Sequence, residues 1–360
     1  MENKKRLDNL DLLKMIGIMM VLSLHVPLLL CDFFERNSAG RIIQYALRLI
    51  AEGVPLFVMV NGILLLRKSE FVFEKHMRKV LDIFRVFLIW AAVYIILNSL
   101  LQVPIEKLTF VSFFRYILQT TVGSRYTGVL WFLQNLIGVY LLFPIIHRVY
   151  YNDFKLYSYF FLIVSVFTIG IDTLELIRDF VFACQIDVQG LNDLLYFVQR
   201  FNTFGEAWYV FYFMLGGMIC HYSEKIIEKR VFFIVIGFLS WGLAFAYGLS
   251  VSFLQGFVYN VAFNYGSIFM VFFLIGLYAL TYNFTNNGRF LESFVCSMGR
   301  NSMGIYLTHF IPILLVYRFI SIDIDNTLVR VIFYIFVLIS AHFLSLLLRK
   351  NKKIAKILFN

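Results

Sequence analysis

An all-α, polytopic membrane bundle of about ten helices is the fold this sequence predicts, on three observations. Hydrophobic residues fill 61% of the 360 positions and charged residues only 15%, against about 25% charged in soluble domains. The mean hydropathy is +0.79, and a soluble fold would struggle to hide 42 phenylalanines. Apolar stretches long enough to cross about 30 Å of hydrocarbon as helix recur along the whole chain. Alternation is too weak for a β-barrel, whose strands need only about 10 residues each, and helices satisfy their own backbone in lipid.

The first span, 12 to 31, follows the basic start MENKKR. That start resembles a signal peptide, but no small-residue cleavage site follows, so a retained helix is expected. Further spans are expected at 48 to 66, 80 to 101, 128 to 147, 156 to 174, 206 to 222, 231 to 251, 260 to 281, 302 to 321 and 327 to 348. Two connections exceed what crossing requires. One is 102–127, where LTFVSFFRYILQT reads as a short helix on the outer surface; the other is 175–205. Both are expected to be outward-facing loops that either roof a site or merely connect. No linker, low-complexity tract or repeat divides the chain, so 1–360 is expected to be a single membrane domain.

Charge fixes the expected orientation. With the N-terminus in the cytoplasm, 21 of the 32 basic residues fall on the cytoplasmic side, including Lys4, Lys5, Arg6, Lys14, the RKSEFVFEKHMRK loop and the tail RKNKKIAK. The other face has 10, and Arg85 is left inside the third span. Acids lean outward, in DTLELIRD and SIDID. Ten spans return the C-terminus to the cytoplasm. The net charge of +10 then reflects topology and contact with anionic membrane lipid. Nucleic acid is excluded as a partner, because the basic residues are spread over separate juxtamembrane loops. Cys31, Cys184, Cys220 and Cys296 form no CxxC pair and no disulfide framework. Neither HExxH nor a His/Asp cluster of metal spacing occurs, so no metal is implied. The absence of GxSxG removes the serine-esterase elbow.

The first helix carries the strongest chemical pattern. Lys14 and His25 are eleven positions apart, about 1100° and so within roughly 20° of three full turns, on one stripe about 16 Å apart. An ionisable group inside a span is costly unless it faces protein or water. Lys14 either snorkels and pairs with Asp11 or meets the phosphates of a cytosolic donor. His25 either hydrogen-bonds a neighbouring helix or takes a proton from a hydroxyl and returns it near neutral pH.

These residues carry a resemblance. LDNLDLLKMIGIMMVLSLH is similar to the opening signature of the acyltransferase 3 family of integral membrane acyltransferases, in which an acid precedes a cation and ten residues separate that cation from a histidine. Asp11, Lys14 and His25 match it, with lysine where arginine is commoner; the charge stays but the bidentate fork is lost. GVPLFVMVNGILLL, with Asn61 and Gly62 where serine is commoner at the first position, follows in family order. After it come EKHMRKVLDIFR, LWFLQNLIGVYLLFP with Trp131 and Pro144, FYFMLGGMI around Gly216, and SMGRNSMGIYLTHF with Ser302, Tyr306 and His309.

The resemblance implies transfer of a small acyl group, most readily acetyl, from cytosolic acyl-coenzyme A to a hydroxyl of an envelope glycan. His25 would be the general base, with Lys14 and Asp11 beside it in the catalytic set. Direct transfer and an acyl intermediate both stay open. Arg78, Lys79, Arg85 and Asn61 would join Lys14 on the donor. His309, Tyr306, Ser302 and Trp131 would line the acceptor path. Each has a plain alternative: Arg78 and Lys79 as a positive-inside cluster, Arg85 as a structural i,i+3 pair with Asp82 facing the bundle, Asn61 and Gly62 as a helix-packing point, and the Ser302–His309 face of the ninth helix as a hydrogen-bonded seam. Glu52 and Glu206 could meet sugar hydroxyls or simply be solvated. His76, His147 and His221 are expected hydrated at cytoplasmic ends, and His342 packed in the last span. Donor coenzyme A is a substrate, and no permanently bound cofactor is expected. A second copy or a glycan-synthesis protein is an open partner class, and a multi-pass bacterial cytoplasmic membrane protein is the expected setting. The competing function is a transporter or flippase for the glycan or a lipid-linked sugar; no paired inverted repeat supports it.

Overall fold

A computed structural model describes residues 8–26, 28–34, 39–101, 109–118, 128–202, 207–261, 264–323 and 325–359. Lys4, Lys5, Arg6 and Glu206 lie outside these, as does most of 102–127. Every regular element among the described residues is helical. Helix α1 (Asp8–His25) opens on two acids, Asp8 and Asp11, which suit the positive end of a helix dipole. In α2 (Ala39–Leu49) the buried residues Arg41, Tyr45 and Leu49 recur every fourth position, one stripe of a helix. Pro55 sits in the first turn of α3 (Val54–Leu66), where its missing N–H costs nothing. Then come α4 (Phe73–Leu100), α5 (Phe110–Leu118) and α6 (Trp131–Asn152). Asp153 caps α7 (Phe154–Ser165) by accepting from the Leu156 N–H, and a π turn, Val166–Gly170, continues it into α8 (Ile171–Ala183).

Beyond α9 (Gln189–Gln199), α10 (Trp208–His221) and α11 (Ser223–Glu228), α12 (Arg230–Gln255) stops at Gly256, whose φ of 76° is the left-handed conformation glycine adopts freely. Ser267 caps α13 (Ile268–Thr281). The chain closes with α14 (Phe290–Arg300), α15 (Ser302–Thr308), α16 (Phe310–Phe319), α17 (Thr327–Lys350) and α18 (Lys352–Leu358).

Seven stretches among the described residues are long and apolar enough to cross a membrane: Ala39–Leu66, Phe73–Leu100, Gly128–Asn152, Phe154–Ala183, Arg230–Gln255, Ser302–Phe319 and Thr327–Lys350. The shorter α10 and α13 are also apolar. With α1, these helices fall on the ten stretches the sequence marks out. Their outer faces are greasy: Leu81, Ile145, Leu162, Leu243 and Phe343 are all more than half exposed. Large apolar side chains displayed along helix after helix suit lipid, not water.

Three expectations change. The described part of 175–205, up to residue 202, is not a plain loop, because α8 runs on to Ala183 and α9 follows. Arg178 pairs with Asp179 at 2.7 Å and Gln199 donates to Glu175 at 3.4 Å, so local partners let a charged stretch stay helical. The ninth span is two helices, broken at His309. Pro312 has no N–H for the Thr308 carbonyl four residues back, and its ring crowds that carbonyl. His76 and His147 are buried rather than hydrated, packed with Phe71 and Phe143, and His76 Nε2 lies 2.7 Å from the Tyr140 carbonyl.

The chain divides into two compact units, Met1–Ser69 with Arg148–Gly299 and Glu70–His147 with Arg300–Asn360. In the first, α3 crosses α10 where Gly62 meets Gly216. A methyl on Gly62 would fall 2.1 Å from the Phe213 carbonyl oxygen, and one on Gly216 2.3 Å from that of Met59. Backbone therefore touches backbone, the packing that small residues permit between membrane helices. In the second unit, polar side chains tie to backbone. The Tyr94 hydroxyl donates to the Leu307 carbonyl at 2.6 Å, Trp90 Nε1 to Leu358 at 2.8 Å and Thr308 Oγ1 to Ala341 at 3.0 Å. Each removes the cost of a buried, unsatisfied polar group.

Candidate active site residues

In the first unit, α1 is continuous from Asp8 to His25, so the stripe shared by Lys14 and His25 exists as one rigid element. Lys14 Nζ donates to Asp11 Oδ1 at 2.7 Å. The Asp11 side chain is 8% exposed and that of Lys14 22%, so the pair is largely shielded and keeps more of its Coulomb energy than a surface pair. Helix α14 closes over it: a methyl on Gly299 would fall 1.9 Å from the Asp11 carbonyl oxygen. An ammonium has three donors, so Asp11 orients Lys14 without consuming its whole hydrogen-bonding capacity.

His25 is half-buried in the last turn of α1. Asn61 lies in α3, its Nδ2 donating to the Phe57 carbonyl at 3.0 Å, and Gly62 beside it makes the crossing with α10. Asp8, Asp11 and Cys296 place one potential ligand atom each within 4.8 Å of one another. Asp8 already accepts from the Asn286 N–H at 3.0 Å and from Cys296 Sγ at 3.8 Å, and Asp11 holds Lys14, so a bound metal would have to displace these contacts. Glu52 pairs with Arg48 at 3.0 Å.

The second unit holds the remaining candidates in two groups. On α4, Arg78 and Lys79 are exposed. Lys79 Nζ sits 5.3 Å from the centre of the Tyr140 ring, and Lys79 and Asp82 line a cavity of about 280 Å³ with Val86, Leu133, Met303 and Phe359. Arg85 pairs with Asp82 at 3.1 Å and donates to the Lys356 carbonyl at 3.3 Å. Its side chain is 44% exposed, so the pair lies on the outer flank of α4 and not on an interior face.

The second group is mostly enclosed. His309 is buried and its Nδ1 lies 2.6 Å from the Tyr306 carbonyl. The Tyr306 hydroxyl donates to the Val129 carbonyl, and its ring meets Phe132 edge-on at 5.4 Å. Ser302 is buried and Trp131 half-buried. The seam extends beyond the residues singled out from sequence: Asn301 Nδ2 donates to the His342 carbonyl at 3.3 Å and Ser345 Oγ donates to Asn301 Oδ1 at 2.9 Å.

The family model Acyl_transf_3, an acyltransferase domain, matches residues 7–350, nearly the whole chain. The chain belongs to the acyltransferase 3 family. No curated protein and no solved structure matches it. Membership, with the apolar helices, makes this a membrane acyltransferase. In this acyltransferase the structure joins Asp11 to Lys14 and Tyr306 to His309, with Asn61 in the first unit and the α4 cations in the second. Sequence reasoning missed Asn301 and Ser345, ordinary polar residues until α15 and α17 are packed. It also missed the burial of Arg330, which is 1% exposed and donates to Thr327 Oγ1 at 2.9 Å; an arginine three residues after a threonine gives no sign of depth.

Proposed function

We propose that the protein transfers a small acyl group, acetyl in the first instance, from cytosolic acyl-coenzyme A to a hydroxyl of an envelope glycan. It would do so in a bacterial cytoplasmic membrane with both termini in the cytoplasm, as the loop charges favour. The observation that carries this reading is α1 itself, one helix of a family acyltransferase bearing a carboxylate-held cation near one end and an imidazole at the other.

His25 takes the proton from the acceptor hydroxyl as its oxygen attacks the thioester carbonyl. The C–O bond forms, the tetrahedral adduct collapses, and the C–S bond breaks. The departing thiolate then recovers a proton from the imidazolium, which returns His25 to its starting state. Lys14, aimed by Asp11, supplies positive charge toward the anionic donor. Lys79 and Arg78 are a second source of cations for donor phosphates, while Arg85 is already engaged by Asp82 and a backbone carbonyl. Asn61 would hydrogen-bond the donor's amide arm, and the Ser302, Tyr306, His309 and Trp131 group would shape the acceptor path.

The test is purified protein in liposomes with acetyl-coenzyme A and a crude envelope-glycan extract, reading free thiol. Thiol release that requires both donor and glycan, with acetyl ester appearing on the glycan, is expected. Glycan crossing the bilayer without thiol release would replace transfer by transport.

A further inference from the structure

A separate cavity of about 570 Å³ lies in the first unit, among the π turn, the start of α8, the end of α9 and the turn before α13. That size falls within the roughly 300–1,000 Å³ of small-molecule sites. Its polar wall is made mostly of acceptors. Asp172 and Glu175 bring carboxylates, and Asn264 brings a buried Oδ1 without a hydrogen-bond partner among the described residues. Asn202 brings a carboxamide whose Nδ2 donates to the Phe167 carbonyl at 3.3 Å. None of the described lining residues is basic.

The wall is built, not incidental. The π turn Val166–Gly170 interrupts the helical register and puts Phe167 and Thr168 at the cavity; such turns recur at functional sites. Gly266 leaves room for Asp172, because a methyl there would fall 1.5 Å from Asp172 Oδ2. Trp208 adds an aromatic face, its ring 4.3 Å from that of Tyr265.

An acceptor-rich cavity beside an indole, with no basic residue among its described lining, selects a ligand that brings many donors, no negative charge and a flat apolar face. We infer that this cavity binds a neutral saccharide, its hydroxyls donating to Asp172, Glu175 and Asn264 and its ring resting on Trp208. It rests on the reading above, in which the acceptor is a glycan, and it names a holding site for that acceptor. The orientation expected from charge puts this end of α8, and the turn before α13, on the outer side.

The test separates holding from chemistry. Full-length protein in nanodiscs, without donor, is titrated with cellotetraose, tetragalacturonate and spermidine while binding is followed calorimetrically. Cellotetraose is expected to bind, with tetragalacturonate at least about tenfold weaker because its carboxylates face Asp172 and Glu175. Glu175→Gln should narrow that gap, and Asn202→Ala should weaken cellotetraose about tenfold. Exposed Gln199, which donates to Glu175, provides a milder variant, Gln199→Ala, expected to weaken binding two- to threefold with unchanged thermal unfolding. Equal affinity for the neutral and acidic tetrasaccharides, no response to the three folded variants, no saccharide binding, or tighter binding of spermidine than of cellotetraose would each overturn the inference. Saccharide binding without acyl transfer would instead leave the cavity assignment standing and remove the transferase reading; glycan acylation unaffected by the cavity variants would do the reverse.

Discussion

Two helices carry the same motif, an aspartate three residues before a cation, and the protein treats them differently. On α1, Asp11 and Lys14 meet at 2.7 Å with side-chain exposures of 8% and 22%; on α4, Asp82 and Arg85 meet at 3.1 Å with exposures of 50% and 44%. Spacing sets the pairing in both cases, since i and i+3 are neighbours on a helix. Burial sets what the pairing does. A shielded carboxylate holds its partner in one place and costs stability when removed, whereas a half-solvated one contributes little. The α1 pair is therefore the one fit to position a cation for chemistry, and the α4 pair is a flank contact.

The largest effect expected from breaking this contrast comes from the histidine that shares the α1 stripe. His25→Ala should reduce transfer about 10²–10⁴-fold, the range of a lost general base, with an unchanged melting curve; retained transfer by the folded variant would show that the base lies elsewhere. Asp11→Asn should come next, lowering stability by about 1–3 kcal/mol and cutting kcat/KM for the donor, because Lys14 loses its anchor. Denaturation and initial rates measured on the same preparation check both halves. Lys14→Ala should raise KM for acyl-coenzyme A about tenfold with a smaller change in kcat, and Lys14→Arg should restore most of it; a donor titration that is unmoved would separate Lys14 from donor binding. Asp82→Ala should be the mildest, changing stability by no more than about 0.5 kcal/mol and leaving the donor titration alone. An Asp82→Ala effect as large as that of Asp11→Asn would erase the distinction.

What the sequence made legible follows the reach of local geometry. Lys14, Asp11 and His25 could be read because a helix makes residues three apart neighbours and puts residues eleven apart on one stripe. The break at His309 was within reach too, since Pro312 states its cause, yet the continuous apolar pattern across 302–321 concealed it. His76 and His147 were misplaced because their partners come from separate parts of the chain, Phe71 from the segment before α4 and Tyr140 and Phe143 from α6. The saccharide cavity was beyond reach for the same reason on a larger scale: its wall joins residues near 170, 200 and 265, and DTLELIRD by itself shows only that its acids lean outward.

Whether α1 carries the transfer chemistry is decided by thiol release from acetyl-coenzyme A by His25→Ala beside the wild type, in the same liposomes and with the same glycan. Glycan-dependent release from the wild type and release at the background rate from the folded variant are expected. Equal glycan-dependent release from both would contradict it.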